Sequence, residues 1–233
     1  MKILLTNDDG VDAPGIKALW DAVEGLGVPV VVAPKNAASG CSHQTTTDRP
    51  LRVARLSNNR FAVEGTPADC VRMALHRFAT DTECVLSGIN NGGNLGVDVY
   101  HSGTIAAVRE AAIHGRRGIA ISQYHARPLT EEDWLRSMEW TRPLLADLLR
   151  RPLRAGTFWS VNLPNPDGVS EHPGVVYCPL DPSPLPLSFR EERELFHYDG
   201  SYSQRSRRPG CDIDVCFGGK IAVTEITVME KSC

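Results

Sequence analysis

Two short apolar runs, K-I-L-L at residues 2–5 and V-P-V-V-V-A at residues 28–33, enclose a stretch in which Ile16, Leu19, Trp20 and Val23 recur at i, i+3, i+4 and i+7. The middle stretch has the helical period and the flanking runs have strand length, so the opening of the chain predicts a β-α-β unit. Glycines at 25 and 27 close the helix, and Pro34 stops the second strand. A connection of this kind makes the two strands parallel neighbours with a right-handed crossover. That one unit commits the chain to a layered α/β architecture.

The pattern continues downstream. Residues 51–56 and 60–63 alternate around Ser57-Asn58-Asn59 as a hairpin would. Thr66 and Pro67 suit an N-cap and a first helical position, and Val71, Ala74, Leu75 and Phe78 follow on one face. Residues 84–89 form the next expected strand, and the segment 90–103 after it is rich in glycine and asparagine, as functional loops are. Residues 104–114 are small and apolar nearly all round, which predicts a buried helix. A strand at 118–122 and a long helix begun by T-E-E-D at 130–133 come next, the helix carrying Trp134, Met138, Leu145 and Leu148 and kinked at Pro143. From Pro152 the chain is rich in proline and arginine, with short strands expected at 159–163, 175–178, 212–217 and 221–228. The expected fold is a doubly wound, mostly parallel Rossmann-like α/β sheet over residues 1–150, with 151–233 adding a completing strand and a β-rich C-terminal arm.

Bulk properties narrow the function. A chain of 233 residues suits one large α/β domain. Its net charge of -3 offers no general basic field, so neither a nucleic acid polymer nor a membrane surface is an expected partner. The N-terminal apolar run is too short for a signal-peptide core, and the protein reads as cytoplasmic. Seven cysteines without a C-x-x-C read as free thiols, Cys70 and Cys84 among them as small core residues.

In an open parallel sheet, ligands bind past the carboxyl ends of the strands. Three such ends carry chemistry here. Asp8 and Asp9 follow the first strand in T-N-D-D-G, Ser39 and Gly40 follow the second, and Asn90 follows the strand ending at Ile89. Two adjacent carboxylates repel each other and would repel an acidic ligand, so a cation is expected between them. Carboxylate, hydroxyl and amide oxygens are hard donors that suit Mg²⁺ or Mn²⁺. Gly10 lets the chain turn so that both aspartates converge. Ser102-Gly103-Thr104 opens the buried helix and offers free backbone N–H groups to an anion, best a phosphate, with Asn94 as a further donor. A cation beside a phosphate cradle inverts the local field, and it can activate a water that Asp9 orients or deprotonates. The plainer alternatives are an Asx-turn or cap for either aspartate and a simple N-cap for Ser102 or Thr104. His43 and His101 lack metal spacing and are expected, at most, to support the ligands.

T-N-D-D-G, A-P-x-x-x-x-S-G at residues 33–40, G-T-P-A-D-C-V at 65–71, S-G-I-N-N-G-x-N-L-G at 87–96 and H-S-G-T-I-A-A-V-R-E-A at 101–111 together resemble the SurE (survival protein E) family of 5′/3′-nucleotidases. The likeness covers the first half most specifically, and V-N-L-P at 161–164 and the final strand pair continue it. It implies a phosphomonoesterase that frees phosphate from nucleoside monophosphates and needs one divalent metal ion, Mg²⁺ or Mn²⁺, per subunit. Carried over by position, the metal ligands would be Asp8, Asp9, Ser39 and Asn90, the two aspartates also acting in catalysis, and the phosphate contacts would be around Ser102, Gly103 and Thr104. The family's habit also implies a homodimer or homotetramer, with residues 179–208 as an intersubunit arm. The chain departs from the pattern at Ser42, where a glycine precedes the histidine in the family, and in its short arginine-rich C-terminal part.

Three other readings compete. A dinucleotide-dependent oxidoreductase would carry G-x-G-x-x-G in its first turn, where this chain has N-D-D-G. A covalent aspartyl-phosphatase would space its carboxylates as D-x-D. A sensor on the same scaffold would bind nucleotide and metal without turnover.

Overall fold

The computed structural model describes residues 1–228. In chain order its elements are β1 (Lys2–Thr6), α1 (Pro14–Ala22), β2 (Val28–Pro34), β3 (Val53–Ser57), β4 (Arg60–Val63) and α2 (Pro67–Met73), the last continued by a π-helical turn over Ala74–Phe78. Then come β5 (Cys84–Asn91), a 3₁₀ turn at Gly96–Tyr100, α3 (Gly103–Ile113), β6 (Arg117–Gln123), α4 (Glu131–Leu148) and β7 (Thr157–Leu163). The C-terminal part adds β8 (Val175–Tyr177), β9 (Phe189–Glu192), β10 (Leu195–Tyr198), α5 (Asp212–Phe217) and β11 (Ile221–Thr227).

Nine strands form one sheet in the order β3-β4-β2-β1-β5-β6-β7-β11-β8. The run from β4 to β7 is parallel throughout, and β3 and β11 are antiparallel to their neighbours β4 and β7. The doubly wound, mostly parallel expectation holds. The period-2 alternation of the strands divides the core: Ile3 and Leu5 pack in the layer that holds Trp134 and Leu145 of α4, whereas Leu4 packs with Val71 of α2 and Ala107 of α3.

Chain direction across the sheet reverses between β1 and β5, since β2 and β4 lie to one side of that pair and β6 and β7 to the other. The crevice at such a switch point is where open α/β sheets bind ligands. Leu5 and Thr6 of β1 pair with Leu86 and Ser87 of β5, so the loops that leave these two strands start side by side.

The helices begin where the local chemistry predicts. Thr66 and Thr130 each close a capping box, with Asp69 and Asp133, and Ser102 caps α3 by accepting the Ile105 N–H. Helix α3 is buried along nearly its whole length, as its all-round apolar pattern requires. Pro143 lies within α4, which runs as one helix from Glu131 to Leu148.

One expectation fails in the C-terminal part. Residues 212–217 are helix α5 and not a strand, because Asp212 and Asp214 sit in its first turn, where acidic groups suit the helix dipole. Asp212 is fully buried and accepts N–H groups from Gly96, Asp181 and Ile213, which fixes the turn geometry a strand would have lost. The β-rich arm expected after residue 150 holds: it contains a hairpin of its own, β9–β10, paired apart from the main sheet. Cys70 and Cys84 are buried core residues, and six cysteines among the described residues are free thiols; Cys233 lies outside them. No described helix is long and apolar enough to cross a membrane.

Candidate functional site

The turn after β1 is built by Asn7. Its buried side chain donates to the Gly10 carbonyl at 2.8 Å and accepts the Gly10 N–H at 3.2 Å, so a single amide closes the turn from both sides. Gly10 has φ 108, which favours glycine there. This clamp presents Asp8 and Asp9 as neighbours in unlike settings. Asp8 is buried and Asp9 is partly open.

Asp8 meets the start of α3. The Thr104 hydroxyl donates to Asp8 Oδ1 at 2.5 Å, and a Cβ added at Gly103 would lie 2.9 Å from Asp8 Cβ and 3.0 Å from both Asp8 Oδ2 and Cys41 Sγ. Only glycine allows this approach. Burial pushes the Asp8 carboxyl up to about 6; the Thr104 hydroxyl pulls it back, and the charge of Asp9 raises it further. Asp9 is also raised, by burial, against the pull of the Asn91 N–H, which donates to Asp9 Oδ2 at 3.0 Å.

The other expected ligands stand on loops tied to this pair. Ser39 is exposed, one residue after Ala38, whose N–H donates to the Asp8 carbonyl at 2.7 Å. Asn90 is partly buried next to Asn91, and its Nδ2 donates to the Gly92 carbonyl at 2.8 Å. A carbonyl can only accept, so that contact fixes the amide orientation and leaves Asn90 Oδ1 as the available atom. Asp8 Oδ2 and Asp9 Oδ1 receive no side-chain donor among the described residues. Two carboxylate oxygens, an amide oxygen and a hydroxyl therefore fit a hard divalent cation. Among the described residues no group of three or more His, Cys, Asp or Glu could hold a metal, so a cation beside Asp8 and Asp9 would need neutral oxygens as well.

The expected phosphate contacts take more specific roles. Ser102 Oγ accepts the Ile105 N–H at 3.1 Å, so it is the N-cap and keeps its own proton to donate. The Thr104 hydroxyl is used on Asp8, and the Thr104 backbone N–H also approaches that carboxylate. Asn94 is buried: its Nδ2 donates to Ser122 Oγ at 2.8 Å, while its backbone is bracketed by the Asn162 side chain at 2.8 and 3.1 Å. His43 binds Glu110 at 2.8 Å and His101 is exposed. Sequence reasoning assigned no task to Asn7 or Asn162. The signal for each is an amide side chain inside or just after an apolar strand, where burial demands partners.

The sequence profile of the family "Survival protein SurE" matches residues 3–181. The chain belongs to the SurE family. A putative 5′-nucleotidase of Nostoc sp. is 51% identical over 228 residues, 98% of this chain and 100% of its own length. The 5′-nucleotidase SurE of Geotalea uraniireducens is 42% identical over 181 residues, 76% of this chain and 71% of that protein. The crystal structure of a SurE protein from Aquifex aeolicus superposes with a TM-score of 0.86 at 27% identity, covering 100% of this chain and 95% of that one. SurE membership fits a switch-point crevice with adjacent aspartates on one side and a glycine-led helix N-terminus on the other.

Proposed function

We propose that this SurE protein is a divalent-cation-dependent phosphomonoesterase that hydrolyses nucleoside 5′- and 3′-monophosphates to nucleoside and phosphate. The observation that carries the reading is the seat of Asp8 directly against Gly103 and Thr104 at the N-terminus of α3. A buried carboxylate facing an anion-binding helix end makes chemical sense when a cation joins the two. The printed names of relatives at 42% and 51% identity, both 5′-nucleotidases, support the same reaction class.

Asp8, Asp9, Ser39 and Asn90 would hold one Mg²⁺ or Mn²⁺ per subunit, which would supply positive charge against the two carboxylates and polarise the phosphoryl group. The N–H groups of Gly103 and Thr104, the Ser102 hydroxyl and an amide proton of Asn94 bind the phosphate oxygens. Asp9 is the more open carboxylate, and the Asn91 N–H holds one of its oxygens in place. The Asp9 carboxylate orients the attacking water and takes its proton. As the water oxygen bonds to phosphorus, the bond to the nucleoside oxygen breaks; that oxygen takes a proton from solvent, and Asp9 returns its own proton to solvent.

The test is turnover of a panel of 5′- and 3′-monophosphates in Mn²⁺, and again in excess chelator after exhaustive dialysis. Phosphate release that vanishes in chelator and returns with Mn²⁺ or Mg²⁺ is expected. Undiminished release in chelator would remove the cation from the reaction, and nucleotide binding without release would make the protein a sensor. The six free cysteines among the described residues suit a reducing compartment, in keeping with an activity in the cytoplasm.

The same reading includes a homodimer or homotetramer held by the arm at residues 179–208. Its hairpin exposes Phe189, Leu195, Phe196 and Tyr198, more apolar surface than a free hairpin keeps in water. Light scattering at micromolar concentration should give a multiple of the 25.5 kDa chain mass. A monomer there would count against the arm as a contact.

A further inference from the structure

The segment that follows the arm's hairpin returns to the loop between β5 and α3, and the contact centres on one carboxylate. Asp98 Oδ2 accepts the Arg205 guanidinium at 2.7 Å, the Tyr202 hydroxyl at 2.6 Å and the Leu95 N–H at 3.2 Å. The backbone carbonyl of Asp98 takes the N–H groups of His101 and Ser102 at 3.0 and 3.1 Å. Asp98 thus stands between Asn94 and Ser102: its side chain holds the residue after the first, and its carbonyl holds the second. The Tyr202 hydroxyl also lies 3.4 Å from the Gly93 carbonyl, on the other flank of Asn94.

Arg205 is an unusual choice for this place. Its side chain is 0% exposed, yet Nε and Nη2 have no hydrogen-bond partner among the described residues, and only Nη1 is used. Burying donors without partners costs stability, and an apolar side chain of similar volume would avoid that cost. What the arginine adds is a charge-assisted hydrogen bond of fixed direction to Asp98. The Tyr202 ring lies under the guanidinium at 5.0 Å. Burial and the neighbouring Asp98 charge hold the Tyr202 phenol well above its ordinary range, so it remains a donor.

We infer that Arg205 is a positioning residue: acting through Asp98, it locks the loop from Asn94 to Ser102 so that both face the α3 N-terminus in one geometry. The inference rests on reading Asn94 and Ser102 as phosphate contacts. It makes the C-terminal segment part of the catalytic apparatus although it touches no substrate.

Arg205→Met, Arg205→Lys and Tyr202→Phe should be compared with the unmodified protein, each first checked for native circular dichroism. In hydrogen–deuterium exchange, the amides of Leu95, His101 and Ser102 should exchange at least about tenfold faster in Arg205→Met, the scale of one lost hydrogen bond to a charged group. Amides in β1 should not change. The inhibition constant of inorganic phosphate should rise by about the same factor, while Mn²⁺ affinity, set on other loops, stays within about twofold. Arg205→Lys should recover part of the loss, because its ammonium restores the charge opposite Asp98. If Arg205→Met does not fold, Tyr202→Phe removes a donor from the same oxygen and carries the same readouts. Unchanged exchange in the 95–102 loop overturns the inference, as does a parallel loss of Mn²⁺ affinity, which would mean general loosening. Faster exchange with unchanged phosphate inhibition upholds the lock and instead removes Asn94 and Ser102 from phosphate binding.

Discussion

Asp8→Asn should lower turnover of 5′-AMP at limiting Mn²⁺ by at least about a hundredfold, because it removes one of the two anionic ligands proposed for the cation while keeping the shape. The same change should stabilise the metal-stripped protein. Without a cation, burial raises the Asp8 carboxyl from 3.8 to about 6. A carboxyl raised on folding stabilises the native state fully only below its unfolded value and loses that contribution as pH rises through about 6. Asparagine has no proton to lose. The stability gap between Asp8→Asn and the stripped native sequence should therefore open between about pH 4 and 6, stay constant above, and reach on the order of 3 kcal/mol. For a chain of this size that is a rise in Tm of several degrees. Thermal melts in chelator at pH 4, 6 and 8, beside turnover in Mn²⁺, check both halves. Near-normal turnover with no gain in Tm would return Asp8 to the role of a plain turn residue, which asparagine fills equally well.

Both halves follow from the proposed cation, a charge the chain does not itself supply. Asp8 accepts only one side-chain hydrogen bond, and its neighbour is another carboxylate. Active sites commonly hold such unfavourable arrangements at the expense of stability.

How much of this was legible beforehand depends on the range of the interactions. β1, α1 and β2 were readable because side-chain periodicity is local: Ile3 and Leu5 against Leu4 alternate on a strand, and Ile16 and Leu19 recur on a helix. The adjacent aspartates and the S-G-T helix start were readable because charge and capping are chemistry of neighbours in sequence. Residues 212–217 were not, since D-I-D-V-C-F fits a strand's alternation as well as one amphipathic helical turn. The decision lies with Gly96 and Asp181, distant residues whose N–H groups the Asp212 carboxylate binds. Arg205 was illegible for the same reason. In R-S-R-R it looks like part of a solvated basic run, and Arg207 and Arg208 are indeed exposed while Arg205 is buried on Asp98. The hairpin β9–β10 was masked by the prolines of the segment before it, at 179, 182, 184 and 186, and by its own exposed apolar residues, which give no face to a period.

Gly103→Ala should damage both sides of the site with one methyl group. The added Cβ would lie 2.9 Å from Asp8 Cβ and 3.0 Å from Cys41 Sγ, closer than carbon and sulfur tolerate. Alanine is favoured over glycine in helices by about 1 kcal/mol at most, and less at a first position. Overpacking a buried contact costs roughly 1–3 kcal/mol. Strain therefore outweighs propensity, and relief has few routes. Asp8 is buried on β1's clamped turn, and α3 is buried along its length, so the carboxylate or the helix start must move by a large fraction of an ångström. A displacement of that order at reacting groups lowers rates by about a hundredfold. The expected result is a folded protein with a Tm lowered by several degrees, turnover down at least about a hundredfold, and weakened inhibition by inorganic phosphate together with weakened Mn²⁺ affinity. Loss of both ligands at once is the discriminating part, because Gly103 touches the cation side through Asp8 and the phosphate side through its own N–H. If Gly103→Ala kept full turnover with normal Mn²⁺ affinity, the contact between Asp8 and the helix start would not be the working geometry of the site.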